Sequence, residues 1–237
     1  MKSPNVRLEV AGIDSLILRL FDHIDEANMP WMMAARTRLQ EAFGSALLDL
    51  VPSYTTLLLH YDLCQLDSHQ ARTKVAEALD GLQPADLHGG REHQLPTWYD
   101  RSVGPELQLL ARRSGLSEAE VIARHSGHAY QVFALGFAPG FAFMGLVEEI
   151  LAAPRLSTPR KRIAAGSVGI AERQTAAYPV VSPGGWNLIG RTPCRLFGRD
   201  IEGYSLLQPG DRVRFVPIER AEFIRLGGDD SPLEASQ

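Results

Sequence analysis

Cysteine is nearly absent from this chain: Cys64 and Cys194 are the only two in 237 residues. Two thiols so far apart, with no CxxC, make neither a disulfide framework nor a zinc site, so both are expected as buried free thiols. Long apolar runs are missing as well. No stretch approaches the roughly 18 residues of a membrane span, and the opening MKSPNVR lacks the apolar core of a secretion signal. A soluble, cytoplasmic protein without membrane contact is the expectation. No basic run occurs and the formal charge is −4, whereas nucleic-acid surfaces cluster Lys and Arg; nucleic acid is not an expected partner. Several catalytic signatures are missing too: there is no GxSxG nucleophile elbow, no SxxK pair and no GxGxxG fingerprint. His125 and His128 lie three apart, but no local carboxylate or third His completes a zinc site, so no metal is expected.

What is present reads as a globular chain, 45% hydrophobic and 22% charged, long enough for one large domain or two small ones. Residues 6–21 break at Gly12 and read as two short strands. Pro30 sits where a helix can begin, with Asn28 near its cap. Ala35, Leu39, Ala42, Phe43, Ala46, Leu47 and Leu50 follow as one amphipathic face, ended by Pro52. Residues 55–61 (TTLLLHY) read as a buried strand, and 67–79 as a second helix with Ala71, Val75, Ala78 and Leu79 inward and Gly81 closing it. The order β-β-α-β-α, with room for another strand, predicts a small α+β domain over residues 1–88.

Residues 83–94 (QPADLHGGREHQ) are polar, broken by Pro and Gly, and read as a linker. Beyond it come a strand at 95–99 and two short helices. Pro105 suits the first turn of one, and Ser117 with Glu120 has capping-box spacing for the other. From 129 onward the character changes: residues 136–210 are under a third of the chain yet hold 11 of its 21 glycines. Short apolar pieces at 129–137, 167–171, 188–189, 195–197 and 212–216 between turn signals predict a β-rich barrel over 89–227. Residues 228–237, acidic and poor in apolar side chains, read as a flexible tail.

Four segments carry the chemistry: GFAPGF at 136–141, PRLSTPR at 154–160, AGSVGI at 165–170 and SPGGWNLIGRTP at 182–193. Gly-rich turns let backbone N–H groups converge on an anion. Arg155, Arg160 and Arg191 can add fork-shaped donors for a carboxylate or phosphate. Equally, the glycines and prolines can simply turn the corners of a barrel. Gly185-x4-Gly190-Arg191-Thr192 has P-loop spacing, but a P-loop must open a helix, and Gly198 follows too soon for one.

These segments in order, with Tyr130, Gln174-Thr175, Tyr178-Pro179, VPSY at 51–54, Tyr61-Asp62 and GPEL at 104–107, resemble the family of KipI, allophanate hydrolase subunit 1 and the B subunit of 5-oxoprolinase. The resemblance implies a second domain that is a cyclophilin-like barrel. It also implies membership of an ATP-dependent 5-oxoprolinase complex, whose three subunits (A, B and C) together convert 5-oxoproline to glutamate. ATP with magnesium would be shared with a partner subunit, and no biotinyl-lysine motif lies on this chain. Arg160, Ser167, Gln174, Thr175, Gly184, Gly185, Arg191 and Thr192 are then the candidates for binding substrate or phosphate. Gly136, Phe137, Pro139, Gly140 and Phe141 form the associated loop, and His125 and Tyr130 are candidates for handling protons. Two other roles occur among such proteins: a KipI-type inhibitor of a sensor histidine kinase, and a carboxyl-transfer component related to urea carboxylase. The chain departs from the family pattern at Phe143 and Met144, and at Glu172 and Ala176, where glycines are usual.

Overall fold

The computed structural model describes residues 4–86 and 90–233. By their contacts they divide into two compact units, one ending at Gly90 and one starting at Arg91. The middle of the expected linker, 87–89, and with it the expected boundary at 88–89, lies outside the described residues.

The first unit opens with the hairpin β1 (Arg7–Gly12) and β2 (Ser15–Arg19), followed by helix α1 (Met29–Phe43), β3 (Leu47–Pro52), β4 (Thr56–Tyr61) and α2 (Ser68–Leu79). The strands form an antiparallel sheet in the order β1-β2-β4-β3. Alternation sends Leu16, Leu18, Leu57, Leu59 and Tyr61 to one buried face. On α1, Met32, Ala35, Leu39 and Phe43 answer them at helical spacing. Asp67 and Gln70 close a capping box on α2; Ala71 and Val75 are buried there, and Ala78 and Leu79 half-buried.

Three expectations change here. The long helix stops at Phe43, because Gly44 takes φ 52°, a value that favours glycine. Ala46 then lies in a 3-10 turn, and Leu47 and Leu50 belong to β3, the extra strand that the first unit had room for. Asn28 does not cap α1 with its side chain, which instead donates to the His23 carbonyl. Cys64 is exposed and Cys194 half-buried, both free, so neither is the buried thiol expected.

The second unit contains β5 (Glu92–Thr97), α3 (Leu107–Ser114), α4 (Glu118–Ser126), β6 (Ala129–Leu135), β7 (Ala142–Gly145), β8 (Arg160–Ile163), β9 (Ser167–Ala171), β10 (Gln174–Ala177), β11 (Ser182–Gly184), β12 (Asn187–Arg191), β13 (Arg212–Pro217) and α5 (Arg220–Arg225). Seven strands form one mixed sheet in the order β12-β9-β10-β7-β6-β13-β5, while β8 and β11 make a separate ribbon. In the mixed sheet β5 and β13 run parallel, and the other neighbours are antiparallel. The two edges meet where Trp98, just past β5, bridges Arg191 of β12. The sheet is thereby a nearly closed barrel, filled by Leu95, Val132, Met144, Ile170, Ile189 and Phe215.

Ser117 and Glu120 form the expected capping box on α4. Pro105 lies one residue before the cap of α3, Glu106, rather than in its first turn. The piece at 195–197 is not a strand; Phe197 makes a single bridge to Ser205. Within the segment expected as a flexible tail, the Leu233 N–H donates to the Ser102 carbonyl at 3.1 Å. Among the described residues no helix is long and apolar enough to cross a membrane.

Candidate functional site

His125, at the end of α4, is fully buried. The Thr175 hydroxyl donates to the Gly169 carbonyl at 3.1 Å, so toward His125 Nε2, 2.8 Å away, it can only accept. Nε2 therefore carries the proton, and Nδ1 accepts from the Tyr99 hydroxyl at 2.8 Å. The Tyr130 hydroxyl donates to the His125 carbonyl at 2.9 Å. Burial holds the imidazole down at about 3 and pushes the Tyr99 phenol well up, so both stay neutral. The chain of hydrogen bonds pins α4 to β10, with both ring nitrogens occupied.

Arg191 is likewise turned inward. It is 2% exposed, and Nη1 donates to the carbonyls of Asp229 at 2.6 Å and Ser231 at 2.9 Å. Nε and Nη2 are buried without a hydrogen-bond partner among the described residues, as is Oγ of Ser167, the residue opposite in register. Burial depresses the guanidinium, which Asp229 and Asp230 partly offset. Thr192 donates its N–H to the Gly166 carbonyl, and its hydroxyl accepts from the Cys194 N–H at 3.3 Å. The segment with P-loop spacing is thus strand β12 and the turn after it. Gln174 opens β10, half-buried, opposite Gly145.

Arg160 sits on β8 opposite Gly184 of β11 and forms a largely buried ion pair with Glu106. Glu106 also accepts from the Leu188 N–H at 2.9 Å. A Cβ on Gly104 would collide with the Ile189 backbone, which accounts for the glycine in GPEL. That motif docks the start of α3 on β12 and holds one side of Arg160, whose Nη1 remains buried and unpartnered among the described residues.

Beside this ribbon three of the four Gly- and Pro-rich segments, those at 136–141, 154–160 and 182–193, meet at a small pocket of about 80 Å³. Its walls are rings: Phe141 stands edge-on to Phe143 (4.9 Å), Tyr178 (5.2 Å) and Trp186 (5.7 Å), and Phe137 meets Phe141 at 5.3 Å. Gly184, Gly185 and Arg155 complete the lining. A side chain at 184 would run into the Tyr178 hydroxyl, so glycine is required there. Burial raises the Tyr178 phenol to about 12, an effect that the Trp186 backbone and the charges of Arg155 and Arg160 partly oppose. Arg155 is exposed and makes no ion pair or hydrogen bond among the described residues.

The loop at 136–140 separates this pocket from a wider, open depression of about 380 Å³ that also borders Phe197 and Tyr204. Gly136 and Pro139 line that depression. Gly140 takes φ 80°, and a Cβ there would lie 2.7 Å from Phe197, so the tight turn requires it. Phe137 and Tyr204, which both border it, are 64% and 61% exposed.

The candidate ligands are therefore scattered: Arg160 is on the β8–β11 ribbon, Gln174 opens β10, Gly136, Pro139 and Gly140 line the open depression, and the others fall in three places. Gly184, Gly185, Phe137 and Phe141 line the aromatic pocket; Arg191, Ser167 and Thr192 lie at the barrel seam; His125, Tyr130 and Thr175 lie in the core. Phe143, Tyr178 and Trp186 are not among the candidates that the sequence offers, although Tyr178 and Trp186 stand inside its motifs.

The family described as carboxyltransferase domain, subdomain C and D, matches residues 6–207. The chain belongs to that family. Within it, a Bacillus subtilis (strain 168) protein named as the B subunit of 5-oxoprolinase is 35% identical over 92% of this chain and 95% of its own length. An Escherichia coli O157:H7 protein of the same name is 40% identical over 69% of this chain and 73% of its own. A crystal structure of the protein TTHA0988 superposes with a TM-score of 0.76 at 38% identity, over 87% of this chain. This chain spans 40% of that longer one. The carboxyltransferase C/D assignment thus bears out the family to which the motifs pointed.

Proposed function

We propose that this chain is the B subunit of an ATP-dependent 5-oxoprolinase, acting with the A and C subunits to convert 5-oxo-L-proline to L-glutamate in the cytoplasm. The observation that carries the reading is the nearly end-to-end match to the Bacillus subtilis protein, 92% of this chain against 95% of that one. The reading includes a barrel of the cyclophilin-like kind that the motifs imply.

The site chemistry agrees with a subunit that binds and orients rather than one that hydrolyses alone. The described residues hold no group of three or more His, Cys, Asp or Glu that could take a metal. The segment with P-loop spacing is a strand, and a pocket of about 80 Å³ is too small for a nucleotide. These residues do not fit ATP with magnesium on their own. In this reading ATP with magnesium is a substrate of the assembled complex, shared with the partner subunit.

The test is reconstitution. The chain mixed with the A and C subunits converts 5-oxoproline to glutamate in the presence of ATP, and alone it does not. Turnover by the isolated chain, or none in the three-component mixture, overturns the reading.

A further inference from the structure

We propose that the aromatic pocket between Phe143, Tyr178 and Trp186 is where the complex holds its lactam substrate: a small flat ring carrying one carboxylate. The proposal rests on the functional reading above and adds to it a location and a set of contacts.

Size comes first. The cavity is about 80 Å³ and only partly enclosed, so it can take part of one small ring at most, with the carboxylate left outside toward the exposed Arg155. Ring faces and edges wall it, with Phe143 and Trp186 6.1 Å apart. Such walls suit a flat amide ring, which is apolar above and below its plane and polar only at its edge.

The polar groups at the pocket then match the two polar ends of such a ligand. Arg155 lines it, carries a positive charge and has no carboxylate of its own chain to neutralise it among the described residues. A guanidinium in that state is a ready bidentate partner for a ligand carboxylate. Arg160, by contrast, is already paired with Glu106. The Tyr178 hydroxyl stands at the pocket, facing Gly184, and can donate its proton to a ligand oxygen. A lactam carbonyl is the acceptor that this donor fits, and glycine at 184 keeps the space before the hydroxyl clear. Carboxylate on Arg155, carbonyl on Tyr178 and ring against Phe143 and Trp186 use each element once.

Arg155, Tyr178 and Phe143 here position the substrate, and no bond is made or broken by them. The experiment has two arms, both on the full chain. In the complex rebuilt with the A and C subunits, Arg155→Ala raises the KM for 5-oxoproline roughly ten- to a hundredfold, the loss of a charge-assisted pair, and leaves the KM for ATP unchanged. Arg155→Lys restores part of the loss. Phe143→Ala weakens both 5-oxoproline and its carboxylate-free analogue 2-pyrrolidinone as a competitor, whereas Arg155→Ala weakens only the acid. Arg155 is exposed and unbonded, so its variants keep the wild-type melting temperature. A KM for 5-oxoproline within twofold of wild type in both alanine variants overturns the pocket.

In the second arm, 5-oxoproline is titrated calorimetrically into the chain alone. Binding that disappears in Arg155→Ala supports the pocket even if the rebuilt wild-type complex proves inactive, an outcome that would sink the functional reading by itself. No binding to the wild-type chain, together with unaltered KM values in the complex, sinks the pocket and leaves the functional reading standing.

Discussion

Trp98 and Arg191 exchange both of their backbone hydrogen bonds, at 2.9 and 2.8 Å, and this one pair joins the edges of the seven-stranded sheet. The approach is close enough that the residue beside it has no room for a side chain. A Cβ on Gly190 would stand 2.7 Å from the Trp98 carbonyl oxygen.

Gly190→Ala is therefore expected to destabilise the barrel by roughly 1–3 kcal/mol, the usual cost of forcing extra volume into packed backbone. Urea denaturation monitored by fluorescence measures it. An unchanged midpoint would show that the seam tolerates a wider gap.

Arg191 adds a second clamp through its side chain. Two carbonyls, of Asp229 and Ser231, share one of its nitrogens. Lysine keeps the charge but not the planar fork, so Arg191→Lys should lower stability by about 1.5–3 kcal/mol. Removing everything after residue 228 removes the same acceptors. The two losses should then overlap rather than add in the doubly altered chain. Full additivity would separate Arg191 from the segment that it grips.

His125 makes stability depend on pH in a defined window. Its folded value, about 3, lies below the ordinary 6.5. The unfolded chain therefore binds the extra proton first as pH falls below 6.5, and the folded state loses ground. Its contribution is complete above pH 6.5 and declines toward pH 3 by about 1.4 kcal/mol per unit. Below pH 6.5 the wild-type chain should lose stability more steeply than His125→Leu, by about that slope. Parallel curves would mean that the imidazole is not held neutral.

Glu172 occupies a turn position with φ 51°, a value that favours glycine. It is exposed, between β9 and β10. Relief of the left-handed strain, less the entropy that glycine costs, should make Glu172→Gly more stable by about 0.5–1 kcal/mol. A rise of the melting temperature checks it, and a fall would point to a contact that the glutamate makes.

The same positions show what can be read in advance. The hairpin at Gly12, helix α2, the capping box at Ser117 and Glu120, and strands β9 and β13 are local: period, cap and turn residues lie within a few positions of each other. The apolar period overruns helix α1 because Leu47 and Leu50 continue it by accident, and only the backbone at Gly44 ends it. Arg160 and Arg191 look alike as anion ligands. Their partners lie far off in the chain, Glu106 at a separation of 54 and Asp229 at 38, and no local pattern reports on them. For the same reason the aromatic motifs are visible one by one, while their convergence on a single pocket with Arg155 is not.

The parallel pairing of β5 with β13 also sets the order in which the protein can take shape as it is made. Arg91 and Asp211, next to the start of that pairing, are separated by 120 positions, so the second unit cannot complete its sheet until Pro217, the end of β13, has left the ribosome. The first unit draws its sheet from residues 7–61 alone and can form while the rest is still being translated. Until then β5 has no ladder partner, and that nascent strand is open to pairing with the wrong one.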